Sequence, residues 1–213
     1  MDIFVQNVAE RRYIMKVKDI AAICRRENQI IIYDNTNGSS VQQYIGTGAA
    51  VYKLENLPYL NEDNIITLFD ISEKKREDIY INLVQAPGVL NLEDFAPGEV
   101  IAEKLNIVIT YAGTAFNAIK TADGVYFINS AYLRPFKNIE QTEIYFRQGK
   151  ISYFAVKVGL LLQAVILPIF IQDVMFNLMS YILQEKNTKY IKSAVEVEDN
   201  TGDSMDGQLN LGE

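Results

Sequence analysis

Apolar and polar positions along the chain change period several times, and each change marks an element. In KDIAAICRREN, residues 18–28, Ile20, Ile23 and Cys24 stand at i, i+3 and i+4, the spacing of one helix face, with Lys18, Arg25 and Arg26 away from that stripe. RRYIMKV before it alternates and reads as a strand. QIIIYDNTNG after it reads as a strand ending in a turn, because Asn-Gly readily takes positive φ. SSVQQYIGTG and AAVYKLENLP add two strands, the second closed by Pro58. The order is β-α-β-β-β.

The middle is less regular. NEDNIITLFDISEKKRED, residues 61–78, places acids at the start of an apolar-periodic run and Lys74, Lys75 and Arg76 near its end, so it reads as one helix aligned with its dipole. DIYINLV is a strand. APGVLNLEDFAPGEV is a long loop, of the kind that holds a partner or acts as a flap. VIAEKLNIVITYAG and TAFNAIKTADG are strands, with Asp-Gly as a second turn. In the last third VYFIN is a strand, SAYLRPFKN a short helix that Ser130 can cap, and TEIYFRQG, KISYFAVKVG and LLQAVILPIFI three more strands. That is β-α-β-β-β again, ending at Pro168 as the first unit ends at Pro58. The helix and three strands between them fit a degenerate third copy.

The most apolar stretch runs from Gly159 to Leu183, but Gln163, Pro168, Gln172, Asp173, Asn177 and Ser180 interrupt it. A membrane-spanning helix needs about 20 consecutive apolar residues, so no span is expected. Asp173, Asn177, Ser180 and Gln184 recur at i, i+4, i+7 and i+11, the polar stripe of an amphipathic helix, and the first half reads as a buried strand. The expected organisation is therefore α+β, with mostly antiparallel sheets: a β-α-β-β-β unit over 1–58, an α+β domain over 59–171, an amphipathic helix over 172–192, and a disordered acidic tail over 193–213.

Charge sharpens this division. Residues 1–26 carry six Arg/Lys against three acids, residues 54–103 eleven acids against three bases, and residues 104–193 ten bases against five acids. The net charge is −7, and residues 193–213, with six acids and no base, leave the remainder near neutral. The single cysteine allows no internal disulfide, and MDIFVQNVAERR lacks the apolar core of a signal peptide, so a cytoplasmic location is expected. With no histidine, imidazole triads, His-containing zinc sites and the usual neutral-pH base are all excluded. No D-x-D cluster, EF-hand loop or phosphate-loop motif is present. No catalytic residue, cofactor or metal is expected, and the protein reads as a non-enzyme. Gly46-Thr47-Gly48 reads as a turn or bulge, and Cys24 as inert core.

VYFINSAYLRPFKN, TEIYFRQ and GLLLQAVILPI together resemble the closing half-domain of a DNA sliding clamp, in which a strand with Asn leads into a Tyr-Leu helix and an apolar strand ends at a proline. KDIAAICRREN through AVYKLENLP is similar to the second half of an earlier clamp domain. The resemblance covers residues 10–171 and implies a clamp-like repeat whose helices line a basic channel. Duplex DNA would then be the partner, held without sequence reading by Lys18, Arg25, Arg26, Arg134 and Lys137. It also implies a homo-oligomer and a bacterial or phage replication accessory. In the tail, Gln208-Leu209-Asn210-Leu211 resembles the Gln-Leu-x-Leu peptide that docks in a clamp's hydrophobic pocket, so Gln208, Leu209 and Leu211 are candidates for binding a clamp or replication protein, although Gly212 stands where a hydrophobic residue usually follows. The alternative is a structural or assembly protein of a phage or mobile element, without nucleic-acid binding, whose contacts are the Ala-Pro-Gly loop and the 172–187 helix.

Overall fold

A computed structural model of the protein describes residues 16–169. Helix α1 (Val17–Arg26) buries Ile20, Ala21, Ile23 and Cys24 and leaves Lys18 and Arg26 exposed, as its stripe requires. Each buried isoleucine contributes about 1.5–3 kcal/mol. Of the strand expected over RRYIMKV, only Lys16 and Val17 are described, and Val17 opens the helix. Strands β1 (Gln29–Asn37), β2 (Ser40–Gly46) and β3 (Ala50–Lys53) follow as an antiparallel meander. The β1–β2 turn uses Gly38 at φ +61°, the backbone that Asn-Gly signalled.

The single helix expected over 61–78 is two: α2 (Glu62–Leu68) and the one-turn α3 (Glu73–Arg76). Asn61 caps α2 by accepting from the N–H groups of Asp63 and Asn64 at 3.1 and 2.9 Å. The break follows from Asp70, which takes φ +49° and lets the Ile71 N–H return to Ile66 O at 3.0 Å, so that Ile71 reaches the core. Strand β4 (Tyr80–Gln85) then lies parallel to β1, the only parallel pairing among the described strands.

The second half contains β5 (Val100–Tyr111), β6 (Thr114–Thr121), β7 (Gly124–Asn129), a 3₁₀ helix (Ser130–Phe136), β8 (Thr142–Gln148), β9 (Ser152–Val158) and β10 (Leu161–Ile166). The ten described strands form one sheet in the order β4-β1-β2-β3-β10-β9-β8-β5-β6-β7. The fold is thus mixed α+β with a mostly antiparallel sheet. Strand β3 pairs with β10, so residues on either side of position 58 share one sheet and one apolar core. Strand β5 serves two ladders, pairing with β8 over Val100–Ala102 and with β6 from Glu103 onward, with a register shift between Lys104 and Val108. Beyond β10, the Ile169 N–H donates to Phe127 O at 2.9 Å, which returns the chain to the far edge of β7. Tyr126, Phe146 and Phe154 pack together inside this curl, with ring centroids 4.9–5.9 Å apart.

The two matching strands do not run to their prolines: β3 ends at Lys53 and β10 at Ile166. After β3 a polar network takes over. Buried Gln43 donates to Asp34 Oδ1 and Leu60 O at 2.9 Å and accepts the Leu60 N–H at 2.6 Å, while Tyr59 Oη donates to Asp34 Oδ2 at 2.6 Å. Gln43→Ala strands several of these groups in the core and is expected to cost about 1–3 kcal/mol. Urea unfolding measures it, and a change below about 0.5 kcal/mol, as at an ordinary surface site, contradicts the assignment.

Over the central strands both sheet faces are covered. Helix α1 and the 3₁₀ helix pack on one, over Ile30, Ile32, Ile45, Tyr52, Phe154 and Ile166. The Ala-Pro-Gly loop packs on the other, where Leu90 and Leu92 meet Tyr44, Tyr153, Ala155 and Val165. That loop is a strap rather than a flap. Tyr44 Oη donates to Leu92 O, and Tyr153 Oη accepts the Asn91 N–H, both at 2.9 Å. No helix among the described residues is long and apolar enough to cross a membrane, and the described part of the Gly159–Leu183 run holds β10. The helix expected over 172–192 and the tail over 193–213 lie outside the described residues.

Candidate nucleic-acid interface

The five expected cations fall into three settings. Lys18 and Arg25 line a depression of about 270 Å³ with Val17, Ala21, Leu68, Phe69 and Asp70. Within it Arg25 Nη1 donates to Phe69 O at 3.0 Å, closing the C-terminal end of α2. Arg26 pairs with the adjacent Glu27 at 3.1 Å on the surface. Arg134 and Lys137, at the end of the 3₁₀ helix, line a separate groove of about 580 Å³. Lys16 Nζ donates to Lys137 O at 3.4 Å, so the start of α1 adjoins the end of the 3₁₀ helix. Arg25 and Arg26 thus each make one contact within the fold, which their position off the apolar stripe did not reveal.

The groove gains a cation absent from the sequence reading, Lys104 of β5. Lys104, Arg134 and Lys137 make no side-chain hydrogen bond or ion pair with any described residue, and neither does Lys18. Glu143 is the acid in the lining, and its Oε2 accepts from Tyr145 Oη at 2.8 Å. Two polar groups on the groove wall also lack a hydrogen-bond partner among the described residues, and of these the Ser130 hydroxyl is the buried one. Asn117 of β6 is 6% exposed, and its side-chain amide bonds to no described residue. The Ser130 hydroxyl is buried without a partner among the described residues. Ser130 does not cap its helix as expected; Asn129 does, with Oδ1 accepting the Ala131 N–H at 3.0 Å. The cap sits one residue earlier because Asn129 ends β7 extended, which aims its side chain along the first turn.

A second charged cluster lies beneath the strap and binds the fold rather than a ligand. Arg147, 2% exposed, donates from Nε to Glu99 Oε2 and from Nη1 to Asn91 O, both at 2.7 Å, and from Nη2 to Glu93 O at 3.0 Å. Lys157 Nζ donates to Glu99 Oε1 and lies 4.3 Å from the centre of the Tyr145 ring. Burial alone would push the Glu99 carboxyl up, but the hydrogen bonds from Lys157 and Arg147 outweigh it and hold it below its usual range. A signal for this cluster was present: β9, SYFAVKV, is apolar on both faces, so Lys157 within it needs a buried partner.

Burial, and secondarily the Glu27 carboxylate, pushes the Cys24 thiol up to about 12, so it is protonated and unreactive at neutral pH. Among the described residues no group of three or more His, Cys, Asp or Glu side chains is placed to hold a metal ion. Gln208, Leu209 and Leu211 lie outside the described residues. No family model, no curated protein and no solved structure matches the chain.

Proposed function

We propose that the protein is a non-enzymatic accessory of DNA metabolism that holds the phosphate backbone of duplex DNA beside its two sheet-packed helices. The carrying observation is that Lys18, Lys104, Arg134 and Lys137, drawn from three separate elements around those helices, have no ion-pair partner among the described residues. Unpaired lysine and arginine bind phosphates by releasing counterions and need no base contact. The topology supports a clamp-like reading. A helix followed by an antiparallel three-stranded meander occurs at each end of the described chain, and the two meanders meet at the β3–β10 pairing. In a clamp-like assembly several copies would supply the channel, with the clamp-pocket peptide Gln208–Leu211 as a second contact to a replication protein.

Fluorescence anisotropy of a labelled duplex tests the reading. Retention is expected at low salt, weakening steeply towards physiological salt; no retention at low salt contradicts it. An assembly role is favoured by one observation of its own, the exposure of Val100, Ile101 and Val108 along β5 and of Leu160 and Leu161 at the β9–β10 turn. Light scattering distinguishes that role: a stable oligomer without DNA affinity supports it, and a 24.2 kDa monomer contradicts it.

A further inference from the structure

We infer that the groove between the 3₁₀ helix, β5, β6 and β8 is a binding site for a phosphate ester. Its three cations are pure donors, since the ammonium groups of Lys104 and Lys137 and the Arg134 guanidinium offer no acceptor, and the Ser130 hydroxyl and Asn117 amide can each donate as well as accept. Buried polar groups in native proteins are almost always partnered, so the buried Ser130 hydroxyl, which has no partner among the described residues, points to an occupant that hydrogen-bonds, and the Asn117 amide on the same wall can add a donor.

Charge narrows the choice. Three cations against Glu143 leave the lining at +2 (3 − 1), the complement of a phosphate monoester near neutral pH, which carries about −1.5 to −2. Phosphate oxygens also match the Arg134 fork, and a phosphate has more acceptor oxygens than a carboxylate to offer the other donors of the lining. Beside Asn138 and Thr142 the wall carries apolar surface from Leu133, Phe136, Ile144 and the 60% exposed Ile101, on which the organic part of an ester can lie. The groove volume of about 580 Å³ suits a ligand of that size, since small-molecule sites span about 300–1,000 Å³.

The phosphate can belong to a free ester or to a nucleic-acid backbone; only the second source rests on the function proposed above. Phenyl phosphate is the probe for the groove, followed by amide chemical shifts in NMR, with a labelled duplex followed in parallel by anisotropy. Saturable shifts are expected at Asn117, Ser130, Arg134 and Lys137. Arg134→Gln is expected to weaken phenyl phosphate about tenfold, and Ser130→Ala about three- to tenfold, the ranges for a charged and a neutral hydrogen bond. Arg134 is exposed and Ser130→Ala removes the hydroxyl alone, and circular dichroism checks that the fold persists. Displacement of the duplex by phenyl phosphate assigns the site to the nucleic-acid backbone. Saturable shifts with no duplex binding assign it to a free ester, and the site stands while the DNA reading falls. Absence of saturable shifts, or unchanged affinity in both variants, overturns the site even where duplex is still retained.

Discussion

Glu99→Gln is expected to lower folding stability by about 3–5 kcal/mol, the cost of removing one partner from a buried ion pair. The substitution keeps the volume and removes the charge, leaving Arg147 at 2% exposure and Lys157 at 5% without a counterion. Arg147 has a second duty, because its guanidinium also satisfies the carbonyls of Asn91, Glu93 and Asp94 and so ties the strap to β8. Replacing the whole cluster with apolar residues is therefore not the neutral exchange that buried ion pairs often permit, since those carbonyls stay unpaired. The pH dependence follows the depressed Glu99 carboxyl. Its contribution is complete above the unfolded-state value of about 4.3 and is lost as pH falls through the lower folded value. The difference between wild type and Glu99→Gln is thus expected to stay flat from neutral pH down to about 5 and to shrink below about 4. Urea unfolding followed by far-ultraviolet circular dichroism at several pH values reads it, and a loss under about 1 kcal/mol at neutral pH contradicts the role of the cluster.

Gly46→Ala is the second large effect, expected at about 3 kcal/mol, the upper range for forcing atoms into a packed site. A Cβ on Gly46 would stand 1.9 Å from Ala50 O and 2.9 Å from Val51 Cα. These are backbone atoms held in place: Ala50 O accepts the Thr47 N–H at 2.9 Å, and Thr47 Oγ1 accepts the Ala49 and Ala50 N–H groups at 3.2 and 3.3 Å. Relieving the clash opens the β2–β3 turn, and because β3 also pairs with β10, the middle of the sheet is disturbed. Gly48→Ala is the matched control. A Cβ there meets only Gln29 Oε1 at 3.5 Å, an ordinary contact, and stability is expected within about 0.5 kcal/mol of wild type. Equal effects at the two glycines would contradict the close approach at Gly46.

Local periodicity made most of the fold legible. The α1 stripe of Ile20, Ile23 and Cys24, the Asn-Gly turn, and the strand runs of both halves all emerge from neighbouring residues. What period could not show is where a continuing pattern stops. Ile65, Leu68 and Phe69 stand at i, i+3 and i+4 as on a helix face, yet Asp70 breaks the helix and brings Ile71 inward. Nor could it show which strands share a ladder. The β3–β10 pairing and the strap held by Arg147 join residues from 48 to more than 100 positions apart.

The candidate site was half legible for the same reason. Arg134 and Lys137 are close in sequence on one short helix, and their chemistry can be read there. Lys104 and Asn117 come from adjacent strands whose register shifts at the β5 bend, so neither announces itself as a neighbour of Arg134. Arg25 and Arg26 carry the charge expected of a phosphate contact, and each also reaches a partner that the sequence did not announce, Phe69 O for Arg25 and Glu27 for Arg26. Position off an apolar face establishes exposure to solvent and leaves open what else a long side chain can reach.

The salt dependence of duplex binding tests the central claim most directly. Lys104→Gln, Arg134→Gln and Lys137→Gln are combined in one chain, and the slope of log K against log salt is compared with wild type. Each phosphate contact contributes about −0.9 to that slope, so three direct contacts predict a slope shallower by about 2.7. A wild-type protein that retains no duplex at low salt, or a triple variant with the wild-type slope, would contradict the assignment of these cations to the DNA backbone.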